Sequence, residues 1–140
     1  MSITGLDHVG VLVDDFDQGY RFLSETFGLT AEHEGPQPEL GVQTAFFRCG
    51  PVLIELIARV AEDSPLPPLD GVAARIDHIA LEVDDMAATT AALGEAGVGT
   101  LDVGAGEAPL VLGANLNHWT DPASSDGVKY QLIEVGGAGG

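Results

Sequence analysis

The chain has 140 residues and a formal net charge of −17, from 22 Asp and Glu against 5 Lys and Arg. Nucleic acids and anionic membranes need clustered cations, so that balance excludes most such partners, while 45% hydrophobic residues exclude general disorder. No run of 18 or more apolar residues is present, so no membrane-spanning helix is expected.

The first element is a strand over 6–13, with Leu6, His8, Gly10 and Leu12 on one face and Asp7, Val9, Val11 and Val13 on the other. It runs into Asp14-Asp15, either of which can cap a following helix. Phe16, Tyr20, Leu23 and Phe27 fall at spacings of four, three and four, the apolar stripe of that helix, and Gly28 ends it. Strands are expected near 29–33, 42–48 and 52–57, with Glu34 to Pro38 as a loop and Cys49-Gly50-Pro51 as a turn. The single cysteine, Cys49, can form no internal disulfide and has no base partner that would make it a nucleophile. In 52–57, Leu53, Glu55 and Ile57 share a face. A carboxylate inside such a run is seldom buried without a partner or a metal.

Residues 61–73 form a linker rich in Pro and Gly. Beyond it the plan repeats. Ile76-Asp77-His78-Ile79-Ala80-Leu81-Glu82-Val83-Asp84-Asp85 echoes Leu6-Asp7-His8-Val9-Gly10-Val11-Leu12-Val13-Asp14-Asp15, with the two histidines 70 residues apart. Asp84 or Asp85 caps a second helix reaching about Ala96, with Met86, Thr90 and Leu93 as its stripe. Strands are expected near 99–103, 110–116 and 128–135, and Gly136 to Gly140 as a flexible tail. The fold class read from this is α+β: two tandem βαβββ modules, 5–60 and 74–135, in one domain, whose sheets can lie together around a shared central cleft. The N-terminal residues enter a strand pattern without a basic, apolar leader, so the cytoplasm is the expected location.

Few polar residues interrupt the apolar strands. His8 and Glu55 do so in the first module, His78 and Gln131 in the second. Two imidazoles, a carboxylate and an amide oxygen suit a divalent ion in mixed N/O coordination (Co, Ni, Zn, Mn or Mg).

The repeated Asp-His-hydrophobic strand with its trailing Val-Asp-Asp, and the second donor on each last strand, resemble the vicinal oxygen chelate superfamily, which includes glyoxalase I, extradiol dioxygenases and the fosfomycin- and bleomycin-resistance proteins. Within it, Leu6-Asp7-His8-Val9, Phe27-Gly28-Leu29, Pro38-Glu39-Leu40-Gly41-Val42, Ile54-Glu55-Leu56-Ile57 and Ser64-Pro65-Leu66 resemble segments of methylmalonyl-CoA epimerase. The resemblance covers residues 5–135 and implies a curved mixed sheet around a central cleft, metal ligation by His8, Glu55, His78 and Gln131, acid–base catalysis by Glu39, and a homodimer. It implies an epimerase or isomerase removing a proton α to the carbonyl of a small-molecule carbonyl or acyl-thioester substrate. The alternatives are a glyoxalase I-like lyase and a non-enzymatic small-molecule binding or resistance protein.

Two departures are visible. Gln131 stands where the epimerases commonly have Glu, and an amide cannot act as a base. His118, Asp121, Glu107 and a metal-bound water are the candidates for the second face, and His118 is expected to be catalytic. The Lys-containing Gly-rich stretch of the epimerases is here Gly104-Ala105-Gly106-Glu107-Ala108-Pro109, without the cation that would meet CoA phosphates, which puts CoA in doubt. His118 and Trp119 are then expected to line a pocket for a less charged substrate, with Trp119 binding it.

Overall fold

Strand, helix and three strands recur in both halves of the chain. The computed structural model describes residues 1–139, and the elements are β1 (Ile3–Val13), α1 (Phe16–Arg21) with a π-helical turn (Phe22–Thr26), β2 (Ala31–Gln37), β3 (Val42–Cys49), β4 (Val52–Arg59), β5 (Ala74–Val83), α2 (Met86–Glu95), β6 (Leu110–Leu112), β7 (Asn115–Trp119), a 3-10 turn (Pro122–Ser124) and β8 (Tyr130–Glu134). The fold is α+β and built of tandem βαβββ modules, as expected. By contacts it divides into two units: His8–Asp77, and Met1–Asp7 together with the residues from His78 onward.

In the unit 8–77 the strand order is β2-β3-β4-β1. β1 and β4 run parallel, while β3 is antiparallel to both β4 and β2. Asp15 caps α1 by accepting from the Gln18 amide. The helix packs Phe16, Tyr20 and Leu23 onto Ala45, Phe47 and Leu56. Tyr20 Oη donates to Glu34 Oε2 at 2.8 Å, which ties the helix to β2 and holds the phenol above its usual pKa range.

Phe27 departs from the expected stripe. The Phe27 amide donates to the Phe22 carbonyl, five residues back. One residue more per turn swings Phe27 off the core side, leaving it 61% exposed. It meets Phe22 instead, ring centroids 4.7 Å apart.

In the other unit the order is β5-β8-β7-β6, with β5 and β8 parallel and the β6–β7 and β7–β8 pairs antiparallel. Ser2 and Thr4 belong here. The Ser2 amide donates to Asp84 Oδ1, the Asp84 amide to the Ser2 carbonyl, and the Thr4 hydroxyl to the Glu82 carbonyl. α2 carries two anionic caps: Asp85 accepts from the Ala88 amide and Glu134 from the Met86 amide. Met86 and Leu93 pack with Val83 and Leu132.

Three expectations for this half are corrected. Residues 99–103 form no strand; Thr100 alone bridges to Thr120. Gly104 and Gly106, with φ of 113° and 68°, turn the chain instead, and Asp102 Oδ1 accepts from both their amides. The expected strand 110–116 is the β6–β7 hairpin, bent at Gly113 with φ of 60°. Nor do residues 136–139 hang free: the Gly136 amide donates to Asn115 Oδ1 and the Ala138 amide to the Ala114 carbonyl. Gly140, the end of the expected flexible tail, lies outside the described residues. Among the described residues no helix is long and apolar enough to cross a membrane.

The two phenylalanines separate core from surface. F47A is expected to cost about 3–5 kcal/mol in denaturant unfolding, the usual cost of emptying a buried aromatic site, and F27A to stay within about 0.5 kcal/mol. Similar losses in both would place Phe27 in the core.

Candidate metal centre

β1 and β4 lie side by side with His8 opposite Leu53, Gly10 opposite Glu55 and Leu12 opposite Ile57. Partners in register point to the same side, so His8 and Glu55 share a face. His8 Nε2 lies 3.1 Å from Glu55 Oε1, with both side chains buried. Phe46, opposite Glu55 on β3, sets its ring edge against His8 at 5.3 Å between centroids.

The other unit repeats this arrangement. Ala80 on β5 is opposite Gln131 on β8, and His78 stands two residues before Ala80, as His8 stands before Gly10. In each unit a histidine thus precedes a small residue whose parallel-strand partner carries a side-chain oxygen, Glu55 in one and Gln131 in the other. His78 and Gln131 are both buried. His8, Glu55 and His78 make up, among the described residues, the one group of His, Cys, Asp and Glu side chains able to hold a metal ion. The donor chemistry fits a divalent cation: two neutral imidazoles and a carboxylate removed from water, where an unpaired charge would be costly.

His118 is placed elsewhere. On β7 it pairs with Leu132, while Trp119 pairs with Gln131. His118 therefore faces α2, on the opposite side of the sheet from Gln131. Its Nδ1 lies 3.2 Å from the Thr90 hydroxyl and its Nε2 3.1 Å from the Glu107 carbonyl. Thr90 is the small member of the α2 stripe, and the imidazole occupies the room it leaves. Asp121 caps the 3-10 turn, its Oδ1 accepting from the Ala123 amide, and Glu107 is exposed. Trp119 is buried on the Gln131 side.

Glu39 is exposed at the tip of the β2–β3 hairpin. Its turn is closed by the Leu40 amide on the Gln37 carbonyl and the Gly41 amide on the Pro38 carbonyl. The linker pins it from behind: the Val60 and Ala61 amides donate to the Gly41 carbonyl, and Ser64 Oγ to the Leu40 carbonyl at 2.6 Å. Gly41 has φ of 62°, and a Cβ there would come within 2.8 Å of Ala61 Cβ. A close backbone approach is thus what Gly41 supplies.

The sequence did not single out Asn117. It is buried on the Gln131 side of β7 and accepts from Gln131 Nε2 at 2.9 Å. Its alternation with Trp119 in Asn115–Trp119 was the available signal, hidden because every residue from Asn117 to Thr120 is buried, on both faces.

A family model of the Glyoxalase/Bleomycin resistance protein/Dioxygenase superfamily matches residues 7–109. The chain belongs to that superfamily. The likeness to methylmalonyl-CoA epimerases extends over nearly the whole fold. The Mycobacterium tuberculosis methylmalonyl-CoA epimerase structure is 27% identical with a TM-score of 0.84, covering 95% of this chain and 89% of that one. A Streptomyces coelicolor methylmalonyl-CoA epimerase, in complex with 2-nitronate-propionyl-CoA, is 25% identical with a TM-score of 0.84, covering 96% and 99%. The uncharacterized protein YqjC of Bacillus subtilis is 36% identical over 61 residues, a match spanning 44% of this chain and 44% of that protein.

The placement of His118 gives a direct expectation. H118A should lower stability by about 1–3 kcal/mol, because it empties a buried imidazole site and removes the partner of the Thr90 hydroxyl and the Glu107 carbonyl, and should leave metal content per chain unchanged. A fall in metal content with the fold intact would put His118 back among the ligands.

Proposed function

We propose that this superfamily member is a divalent-metal-dependent epimerase or isomerase that removes a proton α to a carbonyl. His8, Glu55, His78 and Gln131 are its metal ligands and Glu39 its general base. The observation that carries the reading is the same strand register in both modules, Gly10 to Glu55 and Ala80 to Gln131, in a chain so similar in fold to methylmalonyl-CoA epimerases. A bound divalent cation would supply electrostatic stabilisation for charge developing on the substrate carbonyl oxygen.

The protein's own residues divide the remaining work. His8 and His78 bind as neutral imidazoles, and Glu55 contributes the one negative charge of the set. Glu39 takes the α proton from a turn held by Gly41 and Ser64, which limits the freedom of the base. Gln131 takes no proton, since an amide has no basic site at neutral pH. Among the four ligands no second base remains, and His118 has both ring nitrogens engaged on the α2 side. Proton transfer on one face is therefore favoured over inversion. Trp119 walls the substrate beside Gln131.

The substrate is inferred to carry little negative charge. Arg48 is held by Glu32, and this guanidinium keeps the Glu32 carboxyl below the usual range. Arg59 donates to the Glu62 carbonyl, and Arg75 to the Pro67 and Pro68 carbonyls. Three of the chain's five cations thus bind its own groups, and surface charges beyond a Debye length of about 8 Å at physiological salt help little. A simple carbonyl or short acyl compound fits better than a CoA ester.

The test is α-proton exchange in deuterated water, followed by NMR over a panel of carbonyl substrates that includes methylmalonyl-CoA. With metal content matched, E39Q should lower exchange by about 10²–10⁴-fold, and wild type should exchange faster than it inverts. Undiminished exchange in E39Q would remove Glu39 from the mechanism. Saturable inversion of methylmalonyl-CoA at micromolar concentration would restore the CoA ester as substrate.

A further inference from the structure

Gln131 and Asn117 form a buried amide pair on one face of β8 and β7. A side-chain amide is nearly symmetrical in shape, but only its oxygen can bind a cation. Which end Gln131 presents is therefore a chemical question, and Asn117 answers it. Asn117 Nδ2 lies 3.4 Å from the Leu110 carbonyl and 3.4 Å from the Asn115 carbonyl. Carbonyls accept and never donate, so the Nδ2 end of Asn117 is fixed on them. Its Oδ1 is left facing Gln131. An acceptor there requires a donor opposite, and Gln131 Nε2 meets it at 2.9 Å. The Gln131 oxygen is thereby turned away from Asn117.

We propose that Asn117 is a positioning residue that locks the Gln131 amide with its oxygen toward a divalent cation. The inference rests on the reading of Gln131 as a metal ligand. It also makes position 117 and position 131 a matched set. A carboxylate at 131 would set an acceptor against Asn117 Oδ1, and Asn117 could answer only by turning and giving up its two backbone carbonyls.

The experiment is a double-mutant cycle on Co(II) affinity, measured by competition with a chromogenic chelator for wild type, Q131A, N117A and N117A/Q131A. Q131A and N117A are each expected to weaken binding by about 10–100-fold, as loss of a ligand's orienting partner commonly does. The double variant should bind within about 2-fold of Q131A, because Asn117 then has nothing left to orient. If Q131A binds like wild type, the ligand reading itself fails. Weak binding by Q131A with wild-type affinity in N117A overturns the positioning role alone. An equal loss from N117A in both backgrounds also overturns it, since that is what a merely structural residue would show. A second readout needs no variant: on Zn(II) loading the Gln131 side-chain NH2 resonances should shift, because coordination at the oxygen polarises the amide, yet stay hydrogen-bonded and protected from solvent exchange, and their replacement by a free-amide signal would contradict the proposal.

Discussion

A carboxylate buried beside an imidazole is the constraint around which the unit 8–77 is arranged. Glu55 has lost nearly all contact with water, and its Oε1 lies 3.1 Å from His8 Nε2. Burying a charge costs several kcal/mol unless something compensates it. A strand pair fixed purely for stability would place an aliphatic residue there, as Leu12 and Ile57 do one step further along the same face. Retaining histidine and glutamate in the interior, in a chain already burdened with negative charge, is explained by a cation that the two would hold together.

The second module shows how such a plan diverges without losing its frame. The parallel register that sets Gly10 against Glu55 also sets Ala80 against Gln131. At the matching position one module carries a carboxylate and the other a neutral amide. On the proposed ligation, a neutral ligand would lower the negative charge of the set and would leave a bound cation more electrophilic, while removing a group that could carry a proton. An amide also has an orientation that a carboxylate lacks, and Asn117 accepts from its nitrogen end.

Much of this was legible from residues alone. The 70-residue repeat, the Asp15 and Asp85 caps, and the four polar residues inside apolar strands all follow from local rules of period and capping. What escaped were features decided by backbone detail or by both faces of a strand. The π-helical turn at Phe22–Thr26 rotates Phe27 outward, although its spacing from Leu23 is that of an ordinary stripe. The Gly104–Gly106 region holds too many permissive residues for periodicity to distinguish a short strand from a turn closed by Asp102. In Asn117-His118-Trp119 every side chain is buried, so alternation could not tell which faced α2. His118 looked chemically apt, but register sends it to Thr90 and gives the other side to Asn117 and Trp119.

The proposed chemistry turns on divalent-metal ligation by His8, Glu55, His78 and Gln131. X-ray absorption fine structure on the cobalt- or zinc-loaded protein tests it most directly, because imidazole rings give outer-shell scattering that carboxylates and amides lack. One ion per chain is expected, with N/O neighbours at about 2.0–2.2 Å and the outer scattering of two imidazoles. An ion seen by a single imidazole or by none, or one bound through sulfur, would contradict that ligation.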